Sequence, residues 1–246
     1  MTNSNEISLS LKNVHKTFRF ANNSFHTIQQ RLFNLHKKNE TKYITALKNI
    51  NLDIYKGECI GLIGRNGSGK STLTKTMSGA YLPDKGGSVI KNGTSLLLNL
   101  GVGFSHELTA RENIYVNGST LGLKIKQIDE IFHNIIEFAE LQEFVDTKIK
   151  YYSTGMIQRL SFSIAVNANA DIIFLDEVFA VGDEKFKEKA TVVLEENWIK
   201  GRTVVIVSHS AGLIEQYCSK TILMHKGEML FFGDTKTAIE KYRLLS

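Results

Sequence analysis

The chain has 246 residues, of which 42% are hydrophobic and 22% are charged, and its formal net charge is +5. This ordinary composition excludes wholesale disorder and collagen-like repeats. No stretch approaches about 18 consecutive apolar residues, two cysteines are too few for a secreted disulfide scaffold, and the polar start is unlike a signal peptide. We therefore expect one α/β unit, or two closely joined ones, in a reducing cytosol.

The positive charge is concentrated near the start of the chain. Residues 1–56 contain nine Lys or Arg and three Asp or Glu, a balance of +6, which leaves −1 for residues 57–246. A solvated basic face is the simplest explanation. The alternative is an anionic partner, either nucleic acid or the cytoplasmic leaflet of a membrane.

The first predicted element is a half-buried strand, because Ile7, Leu9 and Leu11 recur at every second residue. Residues 18–45 interrupt this rhythm as a polar, basic inserted arm, within which apolar residues at 28, 32 and 35 would suit one face of a short helix.

Strands and helices alternate after the arm, apart from a helical insertion over about 103–155. That insertion contains a capping box at Thr109–Glu112 and an amphipathic helix over 128–139. The other predicted elements are strands at 46–54, 59–63, 88–98, 172–175, 203–207, 221–225 and 229–232, and helices at 72–78, 156–166, 185–200, 213–217 and 235–245. This order favours a layered α/β core with a mostly parallel sheet.

A phosphate-binding motif, G-x-x-x-x-G-K-[ST], follows the strand at 59–63 and leads into a helix. Its glycines allow the backbone to curl around phosphate oxygens, and the helix start adds a positive dipole end. We expect Lys70 to contact the β- and γ-phosphates of ATP and the Ser71 hydroxyl to bind Mg²⁺. The nucleotide-binding residues of this motif are Gly64, Arg65, Asn66, Gly67, Ser68, Gly69, Lys70, Ser71 and Thr72.

Two further apolar strands end in polar residues where parallel sheets bind ligands. Asp176 follows the strand at 172–175 and is a candidate Mg²⁺ ligand, while Glu177 is the candidate general base for an attacking water. Taken alone, these two acids would suit a helix cap. His209 follows the strand at 203–207 and could contact the γ-phosphate, although alone it would suit a structural role.

A short signature, Tyr152-Ser153-Thr154-Gly155-Met156, precedes Asp176 by 23 residues and starts a helix. Together with the motifs above, it resembles the ATPase subunit of ABC transporters over nearly the whole chain. This resemblance implies a P-loop NTPase core with a mostly parallel sheet, an antiparallel N-terminal β subdomain and an inserted helical subdomain. It implies one ATPase domain, with the core at 1–98 and 156–246 and the helical signature subdomain at 99–155.

The finer resemblance is to the ATP-binding subunits of bacterial polysaccharide exporters, the O-antigen, capsule and teichoic-acid group. It is carried by the signature, by the arm, and by the stretches at 100–104, 107–114 and 176–183. It implies export of a lipid-linked polymer through a separate permease, by a homodimer at the cytoplasmic face of the membrane. Ser153 and Gly155 would then contact the γ-phosphate held by the opposite subunit.

Some positions depart from the family pattern. The signature has Thr154 where glycine is usual, and no glutamine stands where the family has its Mg²⁺-contacting Gln loop, so Asn99 is the candidate substitute. The aromatic residue expected to stack on adenine is Phe18 by position, with Tyr43 as the rival.

Other functions remain as alternatives. They are a non-transport ABC ATPase acting on nucleic acid or ribosomes, an ABC exporter for another substrate, a P-loop kinase or GTPase, and a binding-only subunit. We expect no nucleic-acid partner, because neither a second ATPase unit nor a long coiled coil is evident. The chain ends soon after the predicted helix at 235–245, so we expect the choice of polymer to be made elsewhere.

Overall fold

The computed structural model describes residues 6–21, 41–98, 103–176 and 182–245. The strands are β1 (Ile7–Ala21), β2 (Thr41–Tyr55), β3 (Cys59–Gly64), β4 (Ser88–Lys91), β5 (Ser95–Leu98), β6 (Ile172–Asp176), β7 (Thr203–Val207), β8 (Lys220–His225) and β9 (Glu228–Asp234). The helices are α1 (Lys70–Ser78), α2 (Ala110–Thr120), α3 (Ile125–Ala139), α4 (Thr154–Ala165), α5 (Glu184–Leu194), α6 (Ala211–Tyr217) and α7 (Thr235–Leu244).

A six-stranded sheet in the order β5-β6-β7-β3-β8-β9 forms the centre of the fold. Its strands run parallel except β9, which is antiparallel to β8. Strands β3, β6 and β7 are almost entirely buried, as expected for strands covered on both faces. The predicted mostly parallel sheet is confirmed.

The two faces of this sheet pack against different layers. In β6, Ile173 and Leu175 join a core with helices α4 and α5, while Ile172 and Phe174 join a core with α1 and the N-terminal strands. This alternation follows from the two-residue period of a strand. Packing on both faces therefore fixes the sheet, including the edge at which its parallel strands have their carboxyl ends.

A second, three-stranded antiparallel sheet in the order β2-β1-β4 lies on the α1 side. The predicted strand at 88–98 is wrong as a single element. It divides into β4, in this sheet, and β5, in the large sheet, because Gly93 adopts a φ of +117° in the turn between them.

The ends of the predicted arm at 18–45 are strands, so that boundary is corrected. β1 continues to Ala21 and β2 begins at Thr41, with Ala21 paired directly to Thr41. Main-chain hydrogen bonds between β1 and β2 extend both strands here. The side chains of this part are mostly polar or exposed, so the sequence lacks the apolar alternation that predicts a strand. Residues 22–40, including the predicted short helix, lie outside the described residues.

Helices α2, α3 and α4 form a cluster with its own apolar core. The predicted amphipathic helix is confirmed as α3, which buries Ile128, Phe132 and Ile135. α4 contributes Leu160 to this cluster and Phe162 to the core of the large sheet. It therefore joins the helical part to the sheet.

Two smaller features complete the fold. The predicted helix at 185–200 is α5 followed by a wider π-helical turn at Glu195–Ile199, which buries Trp198. Among the described residues, no helix is long and apolar enough to cross a bilayer.

The start of α2 provides a test of local stability. Thr109 Oγ1 accepts a hydrogen bond from Glu112 N at 3.2 Å, and the Glu112 carboxylate accepts one from Thr109 N at 2.8 Å, which confirms the capping box. Thr109→Ala should lower the free energy of unfolding by about 1 kcal/mol, because it leaves a helix N–H without its partner. Urea denaturation followed by circular dichroism measures this change.

Thr120→Ala is the matched control. Thr120 lies at the other end of α2, is exposed, and its hydroxyl donates only to Val116 O. A loss within about 0.5 kcal/mol is expected there. Equal losses for the two variants would contradict the assignment of a stabilising cap at Thr109.

Candidate nucleotide-binding site

The loop at 64–69 connects the carboxyl end of β3 to the start of α1. Gly64, Gly67 and Gly69 have φ values of +154°, +77° and +105°. A Cβ on Gly64 would lie 2.4 Å from the main-chain oxygen of Met224, so no larger residue fits without displacing β8. The glycines are therefore required by the course of the backbone, as the motif predicts.

Lys70, the first residue of α1, is 8% exposed. Its Nζ donates to the main-chain oxygens of Gly64 at 2.7 Å and Arg65 at 3.2 Å. A buried ammonium group is unfavourable without such acceptors. The loop thus holds a positive charge beside the cavity that it borders.

Hydrogen bonds connect the loop at 64–69 to neighbouring strands. Gly227 N, in the turn between β8 and β9, donates to Ser68 O at 2.9 Å, and Lys48 N in β2 donates to Gly227 O at 2.8 Å. The loop is therefore connected to both sheets, which gives the backbone amides of the loop a fixed arrangement before any ligand binds.

A cavity of about 610 Å³ opens beside this loop. Its volume suits a small-molecule ligand, since such sites typically enclose roughly 300–1,000 Å³. The residues around it are Ile44, Thr45, Ala46, Asn66, Gly67, Ser68, Gly69, Lys70, Ser71, Thr72, Asp176, Val207, His209, Lys226 and Gly227.

The cavity brings together residues from three separate predicted motifs. Asp176 is the last residue of β6, and His209 follows β7 by two residues. Both line the cavity with Lys70 and Ser71, since β3, β6 and β7 end at the same edge of the sheet. His209 also borders a second cavity of about 320 Å³, which it shares with Arg65, Asn66 and Tyr242.

Two predicted site residues, Glu177 and Asn99, lie outside the described residues. Sequence patterns also missed one cation of the site. Lys226 lines the cavity from the turn between β8 and β9, where it has a φ of +47°. Lys226 belongs to no recognisable sequence motif, and it reaches the cavity because the β8–β9 hairpin turns there. The local sequence signal for it is the Lys226-Gly227 turn.

The candidate adenine-stacking residues lie on opposite faces of the β1–β2 ribbon. Phe18 pairs directly with Ile44, which lines the cavity, whereas Tyr43 pairs with Arg19. Successive residues of a strand point to opposite faces, so Phe18 shares the face of Ile44 and Tyr43 does not.

Phe18 itself is not among the cavity-lining residues. Its ring contacts Tyr81 edge-on, with the ring centroids 5.4 Å apart, and Lys16 Nζ lies 5.7 Å from its ring centroid. Tyr43 is 64% exposed.

The signature residues are also outside the cavity. Ser153 caps α4, its Oγ accepting from Met156 N at 3.2 Å, and its side chain is exposed. The preceding Tyr152 anchors this segment by donating from its hydroxyl to Phe144 O at 2.7 Å, and burial raises the pKa of Tyr152 to about 12. The chain therefore presents the signature at its surface and not to its own phosphate loop.

A glycine-rich loop, a buried lysine, a strand-terminal aspartate and a histidine around one cavity define a P-loop nucleotide-binding protein. The sequence profile of the ABC transporter family matches residues 47–180. The chain belongs to the ABC transporter family, and it is an ATP-binding and ATP-hydrolysing subunit of that family.

Similar proteins extend this match to almost the whole chain. ABC transporter protein AbcA of Aeromonas salmonicida is 37% identical over 238 residues, which are 96% of this chain and 76% of that protein. Teichoic acids export ATP-binding protein TagH of Listeria innocua is 39% identical, over 96% of this chain and 70% of TagH. O-antigen export system ATP-binding protein RfbB of Myxococcus xanthus is 38% identical, over 96% of this chain and 55% of RfbB.

A solved structure has the same fold. The dimeric post-hydrolysis state of the ATP-binding cassette MJ0796, bound to ADP and Pi, matches with a TM-score of 0.69 and 26% sequence identity. The match covers 92% of this chain and 98% of that one. The P-loop NTPase fold expected from the sequence is confirmed.

Gly64 provides a test of the loop geometry. Gly64→Ala should reduce the affinity for ATP by about ten-fold or more, because the added Cβ meets Met224 O and forces the loop away from its fixed course. Fluorescence titration with a labelled ATP analogue measures the affinity.

Gly57→Ala is the control, because Gly57 also has a positive φ, +81°, but a Cβ there meets no atom within 4 Å among the described residues. Gly57→Ala should lose about 1–2 kcal/mol of stability from its unfavourable φ, and Gly64→Ala should lose more, because its Cβ also meets Met224 O. Only Gly64→Ala should lose affinity, and equal affinities would contradict the argument.

Proposed function

We propose that this chain is the ATP-hydrolysing subunit of an exporter for a lipid-linked polysaccharide or teichoic-acid-type polymer, acting through a separate membrane permease. The observation that carries this proposal is the similarity along 96% of the chain to proteins named for teichoic acid export and for O-antigen export. Both names refer to the export of a polymer, and this is the class of cargo that the two relatives share.

The site residues divide the work on ATP. The loop amides and Lys70 would bind the phosphates, and the Ser71 hydroxyl and the Asp176 carboxylate would hold Mg²⁺. These two oxygen donors fit Mg²⁺, because this ion prefers oxygen ligands. It usually takes one or two of them from the protein and others from the phosphates of the substrate. When bound, Mg²⁺ neutralises charge on the phosphate oxygens. Asn99 would contribute in place of the Gln-loop residue.

The adenine would stack on Phe18. Support comes from the strand register, in which Phe18 pairs with Ile44, a residue that lines the cavity. The ring would turn from Tyr81 toward the nucleotide, and the nearby cation of Lys16 would stay beside it.

Phe18→Ala should therefore weaken ATP binding by about five- to ten-fold, because stacking on an aromatic ring contributes roughly 1–3 kcal/mol per base. Tyr43→Ala, on the other face, is the matched control and should leave the affinity unchanged. Isothermal titration calorimetry measures both. Loss of affinity in Tyr43→Ala alone would reverse the assignment.

Hydrolysis needs a base and a contact to the γ-phosphate. Glu177 would take the proton from the attacking water, and His209 would hydrogen-bond the γ-phosphate from the end of β7. Lys70 would neutralise charge that develops on the phosphate oxygens.

The Glu177→Gln variant tests this mechanism and the proposed transport. The amide cannot accept the proton, so ATP hydrolysis should fall by about 100-fold or more while ATP binding persists. In the host cell, this variant in place of the natural chain should remove the polymer from the surface and leave lipid-linked polymer inside. Phosphate release and immunoblots of surface glycan measure the two effects.

Glu184→Gln is the control for this test, since Glu184 is an exposed acid at the start of α5 and its carboxylate lies 3.9 Å from Lys187 Nζ. It should behave as the natural chain in both measurements. Normal hydrolysis by Glu177→Gln would remove Glu177 from the mechanism, and slow hydrolysis with normal surface polymer would refute the export function.

A second copy of the chain would complete each site. Gly155 supports this, because an added Cβ there would meet only Ser153 Oγ, at 3.9 Å, within the described part of the chain. A helix glycine costs about 1 kcal/mol relative to alanine, and packing within the chain gives no reason for it. A close approach by the phosphate end of a nucleotide held on the partner supplies that reason.

The arm would hold the subunit at the cytoplasmic face of the membrane. Residues 22–40 contain Arg31, Lys37 and Lys38 against one acid, Glu40. A well-placed basic residue near an anionic bilayer contributes roughly 1 kcal/mol. The helical part, α2–α4, would contact the permease and transmit the movement of the dimer.

The paired ends of the ribbon allow a precise deletion. Replacing residues 22–40 with Asn-Gly should connect Ala21 to Thr41 through a two-residue hairpin turn. Binding to vesicles that contain anionic lipid should fall by about ten-fold or more, with ATP binding unchanged. Sedimentation with vesicles measures this change.

The control for the deletion removes three exposed lysines elsewhere, as Lys12→Gln, Lys85→Gln and Lys236→Gln together. Vesicle binding by this control should change little. If the deletion and the control behave alike, the arm has no special role.

A further inference from the structure

The two cysteines of the chain, Cys59 and Cys218, lie side by side. Their Sγ atoms are 3.7 Å apart, although the residues are separated by 159 positions in the sequence. Cys59 begins β3, and Cys218 follows the last residue of α6 and precedes the first residue of β8 by two positions. Neither residue belongs to the nucleotide cavity, so ATP binding gives no reason for this arrangement.

We propose that Cys59 and Cys218 form an oxidisable dithiol, which two-electron oxidants such as peroxides convert to an intramolecular disulfide. The geometry carries this inference. β3 and β8 are hydrogen-bonded neighbours with Ile60 opposite Lys220, so each cysteine lies within two residues of this pair. Their side chains meet there, with the Sγ atoms 3.7 Å apart.

A disulfide joins its two sulfurs at about 2.05 Å. The Sγ atoms of Cys59 and Cys218 therefore need to approach by less than about 2 Å from their separation of 3.7 Å. The β3–β8 pairing begins one residue after Cys59 and two residues after Cys218, so it holds both cysteines close to this position.

The two thiols have different roles in the reaction. Cys59 is partly accessible, whereas Cys218 is 4% exposed. The Cys59 thiolate would attack the peroxide, giving a sulfenic acid and water. The Cys218 sulfur would then attack the Cys59 sulfur and release a second water. In sum, two thiols and one hydrogen peroxide give one disulfide and two waters.

The second step is expected to be slow. A hydrogen bond with Cys59, together with burial, raises the pKa of the Cys218 thiol. The thiolate is the attacking species, so this group reacts sluggishly. Its proximity to Cys59 compensates, because the reaction is intramolecular.

The disulfide would stabilise the fold without altering the nucleotide site. Cys59 is at the amino end of β3 and Gly64 is at its carboxyl end, about 16 Å away. The bond would close a loop of more than 150 residues in the unfolded chain. We expect the melting temperature to rise by about 5–10 °C, and ATP affinity to stay the same.

The test treats the full chain with hydrogen peroxide and measures its intact mass under non-reducing conditions. The expected product is a monomer lighter by about 2 Da, with a peptide joining Cys59 to Cys218, and dithiothreitol should reverse it. Thermal melting and ATP titration of the same sample should give the higher melting temperature and unchanged affinity.

Single variants separate the roles of the two thiols. Cys59→Ala should show neither the mass loss nor the rise in melting temperature, while Cys218→Ala should gain oxygen at Cys59 instead. The wild-type mass decides the outcome even if a variant fails to fold. Oxygen addition at Cys59 without mass loss, or cross-linking between chains, would overturn the proposal, and so would a loss of ATP affinity on oxidation.

Discussion

The main-chain oxygen of Met224 lies where a side chain on Gly64 would begin, and this contact determines the course of the phosphate loop. β3 can approach β8 closely only because Gly64 lacks a Cβ, and the backbone then turns through two further glycines with positive φ before α1 begins. Lys70 is buried under this turn and donates to its carbonyl oxygens. The shape of the loop, its charge and the position of the cavity all depend on this packing.

The large sheet determines which residues meet at that loop. β6 and β7 run parallel to β3, so Asp176 and His209 reach the same cavity although 32 residues separate one from the next in the sequence. The small antiparallel sheet adds β2, and the β8–β9 turn adds Lys226. One cavity therefore collects groups from both sheets, which explains why the long N-terminal ribbon belongs to the nucleotide-binding part of the fold.

Features with local causes were predictable from the sequence. The glycine motif, the buried strands around Ile173 and Val205, and the Thr109 cap each depend on neighbouring residues, and the structure contains all of them. The outer half of the β1–β2 ribbon was not predictable, because it is held by pairing between positions about 20 residues apart, such as Ala21 and Thr41. For the same reason no pattern indicates Lys226. The Asn92-Gly93 turn lies between two short apolar runs, which together look like one strand in the sequence.

A single chain provides only part of the arrangement that we propose for catalysis. Its phosphate loop faces a cavity, while its Ser153 and Gly155 face outward at the start of another helix. Sedimentation velocity of the Glu177→Gln chain, with and without ATP and magnesium, tests this account most directly. We predict a monomer without nucleotide and a dimer with two bound ATP molecules. A chain that binds ATP and remains monomeric at saturating nucleotide would contradict it.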